Sequence, residues 1–305
     1  MNIVFMGTPE FAVGCLEIVH KKHNVLGVFT QPDKPKGRKY VLTPPPVKVR
    51  AEELGLKVYQ PNTLRDGSAY EILKELNPDL IVVVAYGKIL PKEILELPKY
   101  KCINVHASLL PRHRGASPIQ WCIVCGDKVT GVTTMLMDEG MDTGDILLMS
   151  KTEITDDDIS DTLHDRLALM GAELLDKTID GILDGSIKPI KQNDEEATYA
   201  PIIKKEMAQI DFSLPAKKIV DAIKGYNPWP CAYFNLLGKR IKVYKAEILS
   251  TYGEQGVVIE SKDRLVIGCG EGSVSLIEVQ PEGSKRMNIS DMLRGRPIEV
   301  GTKII

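Results

Sequence analysis

Asn104, His106 and Asp142 are the residue types from which a site for acyl transfer can be assembled. Asn104-Val105-His106 closes a short apolar run, and on a strand side chains two apart share a face, so an amide and an imidazole project side by side. Such a pair can donate hydrogen bonds to a carbonyl oxygen, and a histidine moves protons near neutral pH. Downstream, the acidic, glycine-rich turn Asp138-Glu139-Gly140-Met141-Asp142-Thr143-Gly144-Asp145 can bring a carboxylate to that histidine. Taken singly, a His or Asp at a strand end more often holds structure than performs chemistry. Position favours chemistry here, because open α/β sheets bind ligands beyond the carboxyl ends of their strands.

A second group is basic. Gln31-Pro32-Asp33-Lys34-Pro35-Lys36-Gly37-Arg38-Lys39-Tyr40 is punctuated by proline and glycine and reads as an exposed loop that continues to Lys48. Lys34, Lys36, Arg38 and Lys39 either grip a phosphate backbone or are simply solvated. The turn Gly7-Thr8-Pro9-Glu10 stands where a dinucleotide fold places G-x-G-x-x-G but keeps only the first glycine, which disfavours a dehydrogenase. Cys122 and Cys125 form a C-x-x-C pair, redox-active or half of a zinc site in principle. With no second half-site, the six cysteines read as small buried hydrophobes, and no metal site is expected.

These residues need elements to hold them. Asn2–Met6, Val25–Thr30, Leu80–Ala85, Cys102–His106 and Val132–Met137 read as strands, alternating with helices after Phe11 and over Ser68–Leu76, Pro118–Cys125 and Ser160–Leu183. That alternation predicts an α/β domain with a mostly parallel sheet covered on both faces. From Asp184 to Glu206 the pattern dissolves into Gly, Pro, Asn and charge, the composition of a connector. Beyond it, one helix (Ala216–Lys224) precedes short alternating segments with glycine turns, suggesting a small β-barrel of oligonucleotide-binding type. Residues 1–200 carry 23 basic and 29 acidic side chains, residues 201–305 carry 16 and 12, so the second half alone is positive and suited to a polyanionic partner. The start lacks a signal-peptide pattern and no apolar run is long enough to cross a bilayer, so a cytoplasmic protein without membrane contact is expected.

Three linked motifs carry a resemblance: Asn104-Val-His106; Ser108-Leu-Leu-Pro-x-x-Arg114-Gly115; and Gly131-Val-Thr-Thr-Met-x-Met-Asp-x-Gly-Met-Asp142-Thr-Gly-Asp145. In this order they closely resemble the folate-dependent formyltransferases. The Gly-Thr-Pro-Glu-Phe start, the basic loop, and Tyr226-Asn-Pro-Trp-Pro230 extend the likeness over essentially the whole chain. The resemblance implies a Rossmann-like formyltransferase domain over 1–187, a linker over 188–205 and an OB-like, tRNA-binding domain over 206–305. It implies transfer of formyl from 10-formyltetrahydrofolate to the amino group of methionine on initiator tRNA, by a monomer. Asn104, His106 and Asp142 match the catalytic trio, Asp142 either orienting His106 or relaying the amine's proton. Ser108, Leu109, Leu110 and Pro111 match the folate-contacting stretch, and Ile89 and Leu90 its apolar wall. Arg38, with Lys36 and Lys39, would approach the end of the acceptor stem. Lys204, Lys205, Lys217, Lys218, Arg240 and Lys242 are candidates for the phosphates of the acceptor arm. Formyl transfer to glycinamide ribonucleotide or a sugar-linked amine, hydrolysis of the same folate, and a non-catalytic RNA-binding module are the rival readings. The positive second half weighs against glycinamide ribonucleotide and the intact trio against a binding module, while the same trio suits water as nucleophile, so the hydrolase stays open.

Overall fold

Strands and helices follow in the order a parallel sheet requires. In the computed structural model, which describes residues 1–37 and 40–304, the strands of the first two-thirds are β1 (Asn2–Gly7), β2 (Asn24–Phe29), β3 (Lys34–Lys36), β4 (Val41–Thr43), β5 (Val58–Tyr59), β6 (Leu80–Val84), β7 (Cys102–His106), β8 (Val129–Leu136) and β9 (Ile146–Glu153). The helices there are α1 (Val13–Lys22), α2 (Pro46–Glu53), α3 (Ser68–Leu76), α4 (Lys92–Leu95), α5 (Pro118–Val124) and α6 (Ser160–Leu183). The chain divides into two units, one of residues 1–115, 130–152 and 164–199, the other of 116–129, 153–163 and 200–305.

The first unit is built on a seven-stranded sheet in the order β5-β2-β1-β6-β7-β8-β9. β1 runs parallel to β2 and β6, and β6 parallel to β7, while β8 returns antiparallel to β7. Strand order turns around at β1, with β2 on one side and β6 on the other, which opens a crevice at the carboxyl ends of β1 and β6. Burial explains the apolar runs: Val4, Met6, Phe29, Ile81 and Val83 pack on the side that meets Leu73 of α3 and Ile94 of α4, and the alternate residues Ile3, Phe5 and Val82 are equally buried. Gly7 is required at the end of β1, because a Cβ there would lie 2.7 Å from the Phe5 ring and 2.9 Å from the Ala12 Cβ. α6 passes close to β7 and β8 at Gly171, where a Cβ would meet Val105 at 3.2 Å; this proximity offsets the roughly 1 kcal/mol cost of glycine inside a helix.

One stretch differs from the sequence reading. The basic segment expected as a loop is a β3–β4 hairpin pairing Lys34 with Thr43 and Lys36 with Val41, followed by α2. Its three consecutive prolines hide that helix, yet Pro46 is at its first position, where the missing N–H costs nothing.

The second unit contains β10 (Tyr233–Leu236), β11 (Lys239–Leu249), β12 (Val258–Ser261), β13 (Leu265–Gly268), β14 (Ser273–Pro281) and β15 (Met287–Asn288), with α7 (Ala216–Gly225) and α8 (Ile289–Gly295). They form an antiparallel half-barrel in the order β10-β11-β14-β13-β12, with β15 against β14. Its core is Phe234, Val243, Val258, Leu265, Val274 and Val279, closed by Ile219 and Ile223 of α7. α5 belongs to this unit and packs against α7 so tightly that a Cβ on Gly225 would meet Val124 at 2.5 Å and the Gln120 carbonyl at 3.0 Å.

Candidate active site

β7 delivers Asn104 and His106 to the carboxyl edge of the sheet, paired across the ladder with Met135 and Thr133 of β8. Asn104 is half-buried and its carboxamide has no hydrogen-bond partner among the described residues, while His106 is buried. The imidazole is held by a hydrogen bond at one nitrogen and faces a carboxylate with the other. Its Nε2 lies 3.0 Å from the His113 carbonyl oxygen, and because a carbonyl only accepts, Nε2 is the donor. Nδ1 therefore faces the Asp142 carboxylate, 3.6 Å from Oδ2. The same Oδ2 accepts the Gly115 N–H at 2.7 Å. The three residues inferred from sequence thus share one edge, His106 standing between a carbonyl and a carboxylate.

Asp142 has φ +55°, a left-handed conformation that Asp and Asn tolerate better than other side chains. The turn carrying it is pressed against β8. A Cβ on Gly144 would lie 1.8 Å from the Leu136 carbonyl oxygen, so this glycine is sterically obligatory. Gly144→Ala is expected to destabilise the protein by about 1–3 kcal/mol, the usual cost of overpacking. It should lower the urea midpoint at unchanged slope; an unshifted midpoint would show that the turn yields freely.

Buried Ser108 is pinned rather than free: its hydroxyl donates to the Arg112 carbonyl at 2.6 Å, and its carbonyl accepts from Thr133 Oγ1 at 2.7 Å. Thr133 Oγ1 also accepts from the Leu110 N–H at 3.2 Å, so one hydroxyl holds both ends of the 108–110 stretch. Leu109 and Pro111 are half-buried, and Leu110 is buried with Met135 and Ile146. Ile89 is 65% exposed and could meet a ligand, whereas Leu90 packs into the core beneath. Lys34 is exposed, the side chain of Lys36 is not described, and Arg38 and Lys39 lie outside the described residues. In the other unit Lys204 and Lys205 are exposed, but Lys217 pairs with Asp221 at 2.6 Å and Lys218 donates to the Cys125 carbonyl at 3.1 Å. Arg240 lies over the Tyr233 ring, 4.1 Å from its centroid, and with Lys242, Asn235 and Gln280 lines a groove of about 510 Å³.

Local reading of the sequence missed the partners of this edge. Arg114, 2% exposed, donates from Nε and Nη2 to Gln192 Oε1 at 3.0 and 2.8 Å, and from Nη2 to Asp194 at 2.7 Å. Gln192 in turn donates to the carbonyls of Asp142 and Gly144 at 2.8 and 2.7 Å. Arg114 was visible inside its motif, but nothing in the composition around Gln192 marked it. Of the six cysteines five are buried, and burial pushes the thiols of Cys15 and Cys102 up to about 12, which keeps them unreactive. Among the described residues no group of three or more His, Cys, Asp and Glu side chains is placed to hold a metal ion. No helix there is long and apolar enough to cross a membrane.

Both parts of the chain match known families. The Formyl transferase family matches residues 1–179, and the family described as Formyl transferase, C-terminal domain matches residues 202–297. A methionyl-tRNA formyltransferase of Caldanaerobacter subterraneus is 52% identical over 306 residues, 99% of either chain. The chain belongs to the methionyl-tRNA formyltransferase family. A second family member, from Geobacter metallireducens, is 46% identical over 100% of this chain and 98% of its own. The family's fold also emerges from solved structures of low identity. A methionyl-tRNA formyltransferase from Clostridium thermocellum, 22% identical, covers 81% of this chain and 93% of itself with a TM-score of 0.55. An N-formyltransferase from Helicobacter canadensis, solved with folinic acid and dTDP-3-aminofucose, is 20% identical, covers 90% and 98%, and has a TM-score of 0.70.

Proposed function

We propose that this chain transfers the formyl group of 10-formyltetrahydrofolate to the amino group of methionine esterified to initiator tRNA. The observation that carries the reading is the full-length likeness to proteins of that name, running through both units. Along the sequence the formyltransferase domain is assigned to 1–187, the linker to 188–205 and the tRNA-binding domain to 206–305, with 116–129 and 153–163 folding into the second unit and 188–199 into the first, and the protein works as a cytoplasmic monomer.

The chemistry assigned to the edge is attack of the unprotonated amine on the formyl carbon, giving a tetrahedral intermediate. Asn104, with its uncommitted carboxamide, donates to the developing oxyanion, as does Nδ1–H of His106 in its protonated form. Asp142 balances the imidazolium charge and accepts the proton the amine gives up. The bond from carbon to N10 of the folate then breaks, the proton passes to N10, and N-formylmethionyl-tRNA and tetrahydrofolate leave with no net proton released. Ser108 to Pro111 and Ile89 line the folate, and Leu90 and Leu110 support that wall from beneath. Lys36 of the basic hairpin, together with Arg38 and Lys39, meets the end of the acceptor stem, and Lys204, Lys205, Arg240 and Lys242 meet its phosphates.

Labelled formyl should appear on the methionine amine of charged initiator tRNA and be absent with uncharged tRNA. Label recovered as formate, or on another amine, would overturn the acceptor. If phosphates are gripped as described, KM for the charged tRNA should rise steeply between about 50 and 200 mM salt. A KM unmoved over that range removes the phosphate contacts from the account.

A further inference from the structure

From the hydrogen bonds around Gln192 we infer that this residue is a positioning residue for formyl transfer, holding the backbone of the Asp142 turn in its reactive conformation. The inference rests on the proposed role of Asp142 and concerns a residue in the stretch assigned above to the linker.

Four observations converge. Asp142 occupies a left-handed conformation, φ +55°, which needs outside support to persist in a side-chain-bearing residue. The Gln192 carboxamide supplies it, its Nε2 bridging the carbonyls on either side of Thr143 at 2.8 and 2.7 Å. That carboxamide cannot rotate or flip, because its Oε1 takes two N–H groups of Arg114, a guanidinium 2% exposed. Gln192 itself is set in place by backbone pairing. Ile190 exchanges two hydrogen bonds of 2.8 Å with Ile146 just before it, and after it Thr198 accepts the Arg114 N–H at 2.8 Å through its carbonyl and the His113 N–H at 2.8 Å through its hydroxyl.

The consequence is a closed frame. Arg114 follows His113, whose carbonyl receives His106 Nε2, and precedes Gly115, whose N–H binds the Asp142 carboxylate. Through Arg114 and Gln192 the two halves of the site, the 113–115 backbone and the 142–144 turn, are tied to a single carboxamide. Without it, the Asp142 carboxylate retains only the Gly115 N–H to fix its distance from His106. An error of about 1 Å at a reacting group is worth up to roughly 10²-fold in rate.

The test is a double-mutant cycle on the full-length protein with charged initiator tRNA, using Gln192→Ala, Gln192→Glu and Asp142→Asn. Gln192→Glu still accepts from Arg114 but cannot donate to the two carbonyls, so it keeps the fold should the alanine variant lose it. Each Gln192 variant should lower kcat by about 10- to 100-fold with KM for both substrates little changed. On the Asp142→Asn background the same replacement should cost almost nothing further, because it acts through a group already removed. A wild-type kcat in Gln192→Glu, or an equal loss on both backgrounds, overturns the positioning role. A wild-type kcat in Asp142→Asn overturns the catalytic reading beneath it instead, and that variant is measured alone.

Discussion

His106→Ala is expected to lower kcat for formyl transfer by about 10²–10³-fold, the usual effect of removing one donor from an oxyanion site. Charged tRNA should bind as before, since in the mechanism proposed here the imidazole meets the reacting carbon and not the phosphates. The truncation also removes the 3.0 Å hydrogen bond from Nε2 to the His113 carbonyl, so a modest loss of stability, about 0.5–1.5 kcal/mol, accompanies it. Activity and binding should therefore be compared well below the melting transition. An undiminished kcat would exclude His106 from the chemistry, and a parallel collapse of tRNA affinity would mean that the variant reports unfolding.

Asp142→Asn should lower kcat by about 10²–10⁴-fold, the range for a lost proton acceptor. The substitution is close to isosteric. Asparagine tolerates φ +55°, and its side-chain oxygen can still receive the Gly115 N–H now held at 2.7 Å. What disappears is the negative charge 3.6 Å from Nδ1, and with it the site for the amine's proton. Folate and tRNA affinities should hold, placing the loss in kcat. If KM rises and kcat stays, the carboxylate serves binding and the proton goes elsewhere.

How much of this was legible beforehand depended on the range of the forces involved. α3 over Ser68–Leu76 and α6 over Ser160–Leu183 appear where apolar spacing put them, because each is an amphipathic helix whose pattern is local. β7 was legible to the residue, and with it the shared edge of Asn104 and His106. The parallel core and the antiparallel half-barrel followed from alternation and from glycine turns. β9 was not read, although its burial alternates from Met149 onward, because its apolar start and charged end share no single period. Gln192 was out of reach for another reason: its partners are 78 and 50 positions away in sequence, and in its own neighbourhood it is one polar residue among many.

The interleaving of the two units sets the order in which this protein can be made. α5 emerges from the ribosome with Trp121 and Val124, which pack on the core of the second unit in the finished protein, yet α7, against which it packs, is encoded roughly 100 residues later. At about 5–20 residues per second, α5 waits on the order of 5–20 s with that apolar face unmatched. Nascent chains of about 125 to 225 residues are accordingly the ones that expose it to holdase chaperones, and the second unit closes only once most of the message has been translated.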